Sequence, residues 1–170
     1  VAWTQETLSL LRDADADAGQ ALAAQCAGCH GANGIAASPA FPNLAGEPAS
    51  AIYKQLMDFS TGYRPSPVMA GLAAGLTQQQ MADLARYFAS QPAPDFTAGD
   101  VPDEIARLTT HGDTARGLPA CDSCHLLAGG PTGTPVLRSQ PVTYLTTQLQ
   151  AFATGARGND IYGLMRTVAQ

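Results

Sequence analysis

The sequence predicts an all-α chain in which one small helical domain occurs twice. Three observations predict it. No segment sustains the apolar/polar alternation of a half-buried strand. Apolar residues recur at helical spacing instead, as in Ile52, Leu56 and Phe59, and in Met81, Leu84, Ala85 and Phe88. The two halves also align with each other. Cys26 and Cys121 stand 95 residues apart, and Pro42-Asn43-Leu44 meets Pro135-Val136-Leu137 at offset 93. The ten residues from Gln55 to Arg64 meet Gln148 to Arg157 at the same offset, and Met69 to Ala73 meets Met165 to Ala169 at offset 96. A fixed offset over separate segments marks a duplicated unit.

The elements follow in chain order. Residues 1–16 read as an N-terminal extension whose Trp3, Leu8, Leu10 and Leu11 form a candidate partner surface. Asp13, Asp15 and Asp17 suit the entry to a helix, where the dipole favours negative charge. Ala18 to Gln25 is Ala-rich and delivers Cys26 from a helix end. Pro48 to Phe59 forms the next helix, with Gly62 as its C-cap and Gly155 as the twin cap. Thr77-Gln78-Gln79-Gln80 is a capping box opening a helix that ends near Ser90, before Gln91-Pro92-Ala93-Pro94. The first domain thus spans 17–91, a linker 92–104, and the second domain 105–170. Gln170 aligns with Ala74, so nothing in the second half matches the helix of 77–90. Truncation, a partner, or the N-terminal stretch could account for that gap.

Composition narrows the function. Halves of about 85 residues have thin cores, and aromatic content is only 6%. A large apolar prosthetic group would fill each centre. The net charge is −5, which disfavours nucleic acid as a partner. The nine basic residues are eight Arg and one Lys, Lys54, so no lysine-ringed docking face can form and a basic or mixed partner face is expected. No run approaches the roughly 20 apolar residues of a membrane span.

All four cysteines fall in two CxxC pairs, each followed at once by His. Two thiols at this spacing add across the two vinyl groups of a haem, and the next residue presents its imidazole to the iron. A zinc site would leave the adjacent His unexplained twice, and a disulfide within CxxC would staple almost nothing. The sequence therefore predicts two covalently bound haem c groups, held by Cys26 and Cys29 and by Cys121 and Cys124, with His30 and His125 as iron ligands. The other axial position falls to Met69, 39 residues after His30, and to Met165, 40 residues after His125, both in loops. Met57 is replaced by Gln150 in the other half and Met81 lies on an apolar helix face, so both read as packing residues. His111 reads as a solvated loop histidine. Arg64 and Arg157 either pair with haem propionates or remain solvated beyond a helix cap. Tyr53 and Tyr144 are weaker propionate candidates.

Several stretches carry a family resemblance. They are Ala18-Gly19-Gln20-Ala21, Cys26-Ala27-Gly28-Cys29-His30-Gly31-Ala32-Asn33-Gly34, Phe41-Pro42-Asn43-Leu44-Ala45-Gly46, Lys54-Gln55-Leu56 with Asp58-Phe59, and Met81 to Ser90. In these the chain resembles the cytochrome c4 family, closely over 17–90 and more loosely over 112–170. The resemblance implies two tandem class I cytochrome c domains related by a pseudo-twofold, the second lacking its last helix. It implies His/Met ligation at both irons, with Pro42 and Pro135 offering carbonyls to the proximal imidazoles. It further implies a periplasmic protein delivering electrons to a terminal oxidase. Haem attachment to CxxCH outside the bacterial cytoplasm already implies an exported chain with its signal peptide removed, and the first functional reading is a carrier between a quinol-oxidising complex and an oxidase. Cytochrome subunits of flavoprotein or quinoprotein dehydrogenases share this plan, which makes an electron-accepting subunit the alternative. A peroxidase would need an open iron position, and the two Met argue against it. The extra N-terminal segment, the short second haem loop from Leu126 to Pro135 and the missing last helix depart from the family pattern.

Overall fold

The computed structural model describes residues 1–95, 99–126 and 130–170. Parts of the expected linker and of the second haem loop lie outside them. The described residues form α-helices and two short 3-10 turns, with one isolated bridge between Asp113 and Leu118 as the only β-type pairing among them.

The first half contains α1 (Gln5–Arg12), α2 (Ala16–Ala23), α3 (Ala27–His30), α4 (Ala49–Ser60), α5 (Pro67–Ala73) and α6 (Gln78–Ser90). Asp15 caps α2, accepting from the N–H groups of Asp17 (2.9 Å) and Ala18 (3.3 Å). Asp13 does not stand at a helix entry: it follows the last residue of α1 and pairs with Arg12. The Thr77/Gln80 capping box closes both ways, as its sequence predicts. Where α2 crosses α6, Gly19 is required: a Cβ there would lie 2.1 Å from the Asp83 carbonyl oxygen. Ala23, Ile52, Tyr53, Met81, Leu84, Ala85 and Phe88 form the core. Full burial of a side chain such as Leu84 or Phe88 stabilises by about 2 kcal/mol.

The N-terminal extension departs from expectation. It contains α1, and Trp3, Leu10, Leu11 and Ala14 pack on the first-half core, leaving Leu8 exposed. The apolar residues read as a partner surface are thus largely covered within the chain. Trp3 also reaches the second half, where a Cβ on Gly133 would lie 2.7 Å from its ring.

The second half contains α7 (Asp103–His111), α8 (Asp122–His125), α9 (Val142–Ala153) and α10 (Leu164–Ala169). α7 begins two residues before the expected boundary, with Asp103 and Glu104 favoured in its first turn. His111 ends α7 rather than sitting in a loop, and its side chain is exposed. Phe152 is the single buried large apolar side chain of this half among the described residues. No residue of α7 is buried, and among the described residues no long helix lies against it as α6 lies against α2.

α4 and α9 are twins of 12 residues, each preceded by a proline and followed by a glycine at positive φ, Gly62 (77°) and Gly155 (76°). Between them lies a twofold network. Arg64 donates to Gln55 (2.7 Å) and to Gln148 (2.7 Å). Arg157 donates to Gln148 (2.7 Å) and to Gln55 (3.2 Å). Each guanidinium stacks on its own half's Phe, Arg64 on Phe59 and Arg157 on Phe152. Beside this network, the buried Lys54–Asp58 pair on α4 is completed by Asn159, whose carbonyl accepts from Lys54 and whose amide donates to Asp58.

Candidate haem sites

Each CxxCH segment winds into one helical turn. The His30 N–H bonds the Cys26 carbonyl (3.0 Å) and the His125 N–H bonds that of Cys121 (2.9 Å). One turn sets cysteines three apart on the same face, with the imidazole at the turn's end. All four thiols are free and half-buried. Burial pushes the Cys26 and Cys121 thiols up, as it does for thiols held in apolar surroundings.

The imidazoles are oriented from behind. His30 Nδ1 lies 2.9 Å from the Pro42 carbonyl oxygen, and His125 Nδ1 lies 2.8 Å from that of Pro135. A carbonyl only accepts, so Nδ1 carries the proton and Nε2 keeps its lone pair. That tautomer suits a metal ligand. Burial lowers the His30 pKa, against the Pro42 carbonyl, which raises it. Two free thiols on one face of a turn, beside an imidazole held in the metal-binding tautomer, fit a covalently attached haem in both halves.

Met69 and Met165 do not lie in loops. Met69 is in the first turn of α5, where Ser66 caps the helix and Pro67 starts it. Met165 is in the first turn of α10, after Gly163 in the left-handed region. Both are half-buried. The reason is local: Ser-Pro and Gly are helix-start signals that a reading of Pro and Gly as loop markers overlooks. Met81 is buried and Met57 packs on the core, as expected.

Arg64 and Arg157 are not solvated. They stand at the contact between the halves, bonded to glutamines of both, and Arg64 also donates to the Tyr144 hydroxyl (2.9 Å). Burial draws Arg157 down to about 10, with the Arg64 charge adding to the effect. Sequence reasoning missed Gln55 and Gln148. Identical polar residues at twin positions of the repeat were the available signal. It also missed Glu47, Asn43 and Gln140, which join the two proline loops.

Two tandem helical units, each with a CxxCH turn and a proline-held histidine, define a diheme c-type cytochrome. Comparison with known proteins agrees. The cytochrome c family model matches residues 16–92. Cytochrome c4 of Pseudomonas aeruginosa is 42% identical over 152 residues, covering 86% of this chain and 75% of that one. The thiosulfate dehydrogenase electron acceptor of Stutzerimonas stutzeri is 40% identical, covering 85% of this chain and 70% of its own length. The crystal structure of reduced cytochrome c4 from Pseudomonas stutzeri superposes with a TM-score of 0.79 at 35% identity, covering 92% of this chain and 90% of that one. The chain belongs to the cytochrome c4 family. It carries two covalently bound haem c groups and is an electron-transfer protein, not an enzyme, exchanging electrons with redox partners. Among the described residues no helix is long and apolar enough to cross a membrane.

Proposed function

We propose that this chain is a periplasmic diheme carrier passing electrons from a quinol-oxidising complex toward a terminal oxidase. In this reading His30 and Met69 ligate one iron and His125 and Met165 the other. Cys26 and Cys29, and Cys121 and Cys124, hold the two haems through thioether bonds, which form on the outer side of the cytoplasmic membrane. The observation that carries the reading is the pair of imidazoles, each held through Nδ1 by a proline carbonyl with Nε2 left for iron. Thioether sulfur is a soft neutral donor that favours Fe(II) and raises the potential relative to a second imidazole. A centre with both axial positions filled suits outer-sphere transfer.

Pro42 and Pro135 fix the two ring orientations. Arg64 and Arg157 serve the haems from the contact between the halves. Each spends three of its five N–H donors on the protein, and neither pairs with a carboxylate among the described residues. Their remaining donors suit propionates. Units 17–91 and 105–170 act as the two haem domains, joined by 92–104.

The test is optical. The oxidised holoprotein should show the Met–Fe(III) charge-transfer band for both haems, with half its intensity lost in Met69→His and half in Met165→His. A full band in either variant would refute that ligand.

An electron-accepting subunit of a dehydrogenase is the second reading. It is favoured by the relative described as a thiosulfate dehydrogenase electron acceptor. Co-purification of the native protein with a dehydrogenase subunit would replace the free-carrier reading with this one.

A further inference from the structure

Behind the two proximal histidines lies a second pair of twins. Glu47 and Gln140 stand at offset 93, as do Pro42 and Pro135. Each reaches across to the other half's proline loop. Gln140 Oε1 accepts from the Asn43 N–H at 2.9 Å. Glu47 Oε2 accepts from the Val136 N–H at 2.9 Å. The two twins also bond each other, Gln140 Nε2 donating to Glu47 Oε1 at 2.6 Å and to the Asn43 carbonyl at 2.8 Å.

The N–H groups they hold are particular ones. Asn43 N–H belongs to the same peptide unit as the Pro42 carbonyl that accepts from His30. Val136 N–H belongs to the same unit as the Pro135 carbonyl that accepts from His125. Each proximal imidazole is therefore one amide away from a side-chain oxygen of the opposite half. Hydrogen bonds in such a chain polarise one another. An oxygen that pulls harder on the N–H makes the carbonyl a better acceptor and the imidazole a more basic ligand. The arrangement is symmetric but for one group, since the first histidine answers to a neutral carboxamide and the second to a carboxyl.

We propose that Glu47 is a positioning residue that couples the reduction of the second haem to proton uptake. Ionised Glu47 strengthens the Pro135–His125 hydrogen bond and stabilises Fe(III). When the second iron accepts an electron from a redox partner, Glu47 takes one proton from solvent, the bond weakens, and Fe(II) is favoured. Gln140 cannot titrate and stands between Glu47 and the first proline loop, one hydrogen bond further along, so the first haem responds much less.

Burial supports the assignment. Glu47 is 5% exposed and belongs to no ion pair among the described residues. A carboxylate in that setting is costly and readily protonated. Burial raises its pKa to about 7, against the opposing pull of the Val136 and Gln140 donors. The surrounding elements bring few free charges. On α4, Lys54 and Asp58 bind each other. Arg138 on the second proline loop and Arg86 on α6 are exposed. Asp83 of α6 is buried and accepts from the Asp15 N–H and from Gln79. His30 and His125 face the far side of the two prolyl amides.

The inference rests on the proposed His125/Met165 ligation of the second iron, which the Met–Fe(III) charge-transfer band tests without reference to pH. Spectroelectrochemical titration of the holoprotein across neutral pH tests the inference itself, with Met69→His displacing the first haem's potential so that each can be assigned. The second potential should fall as pH rises through neutral, with a clearly smaller slope at the first. Glu47→Gln should remove the slope and leave the second potential near its wild-type low-pH value. The exchange variant Glu47→Gln/Gln140→Glu should move the slope to the first haem. Redox-difference infrared spectra should show a protonated carboxyl band on reduction that Glu47→Gln lacks. Two flat wild-type potentials would overturn the proposal. So would a slope or carboxyl band that persists in Glu47→Gln, which would assign the proton to another group such as a propionate.

Discussion

The two halves share a haem-attachment plan but differ in what supports it. The first half buries Ile52, Tyr53, Met81, Leu84 and Phe88 around α2, α4 and α6, and adds Trp3, Leu10 and Leu11 from the N-terminal extension. The second half buries one large apolar side chain, Phe152, among its described residues. Its other buried residues include Asn159, which is held by Asp58 and Gln55 of the first half. Both proline loops are tied to the opposite half, but the first unit also rests on a packed core of its own, whereas the described residues of the second rely more on polar contact with the first. The same local motif is supported by a core in one case and by an interface in the other.

The largest effect should come from the core. Phe88→Ala should cost about 3–5 kcal/mol of stability, the range for a buried aromatic. Phe152→Ala, in a half with few buried neighbours, should cost less. Denaturant unfolding of the holoprotein measures both, and equal losses would break the comparison. A second, smaller test concerns the ion pair. Lys54→Met alone leaves Asp58 buried without its cation and should cost about 3 kcal/mol, whereas Lys54→Met with Asp58→Leu removes both charges and should cost less, about 1–2 kcal/mol for the Asn159 groups left without partners. Hydrogen exchange should show the loss in the single variant mostly in the second half, through Asn159. The smallest effect falls on the glutamines. Gln148→Leu leaves donors of Arg64 and Arg157 without their acceptor and should cost about 1–2 kcal/mol. Exchange protection in α9 should fall more than in α4.

What was legible in the sequence was local. The CxxCH turns, the Thr77 capping box, the glycines that end α4 and α9, and the repeat itself all depend on neighbours within a few residues or on identity at a fixed offset. Met69 and Met165 are expected in loops from the Pro and Gly around them, and the structure places both in the first turn of a helix. The apolar residues of the N-terminal stretch suit a partner surface in the sequence because they show that the segment packs, without showing on what. The roles of Arg64 and Arg157 depended on which residues the other half brings opposite them. That is a tertiary fact, invisible to spacing. Glu47 gave no signal at all: one Glu in a loop is ordinary until its burial and its partner's amide are seen.

The quartet of Arg64, Gln55, Arg157 and Gln148 has a consequence for self-recognition. A contact built from twinned residues is self-complementary, in the way of an isologous dimer. Two copies of the first half could present the same arginines and glutamines to each other. Lys54, Asp58 and Asn159 have no twins, since the matching positions hold Thr147, Ala151 and Ser66. In such a homodimer the buried ion pair would lose the Asn159 amide and gain only a short hydroxyl. These three residues, with Tyr144 beside Arg64 and a twin position that holds Ala51, give the twinned handshake a left and a right hand. They let a duplicated chain tell its own other half from a second copy of itself.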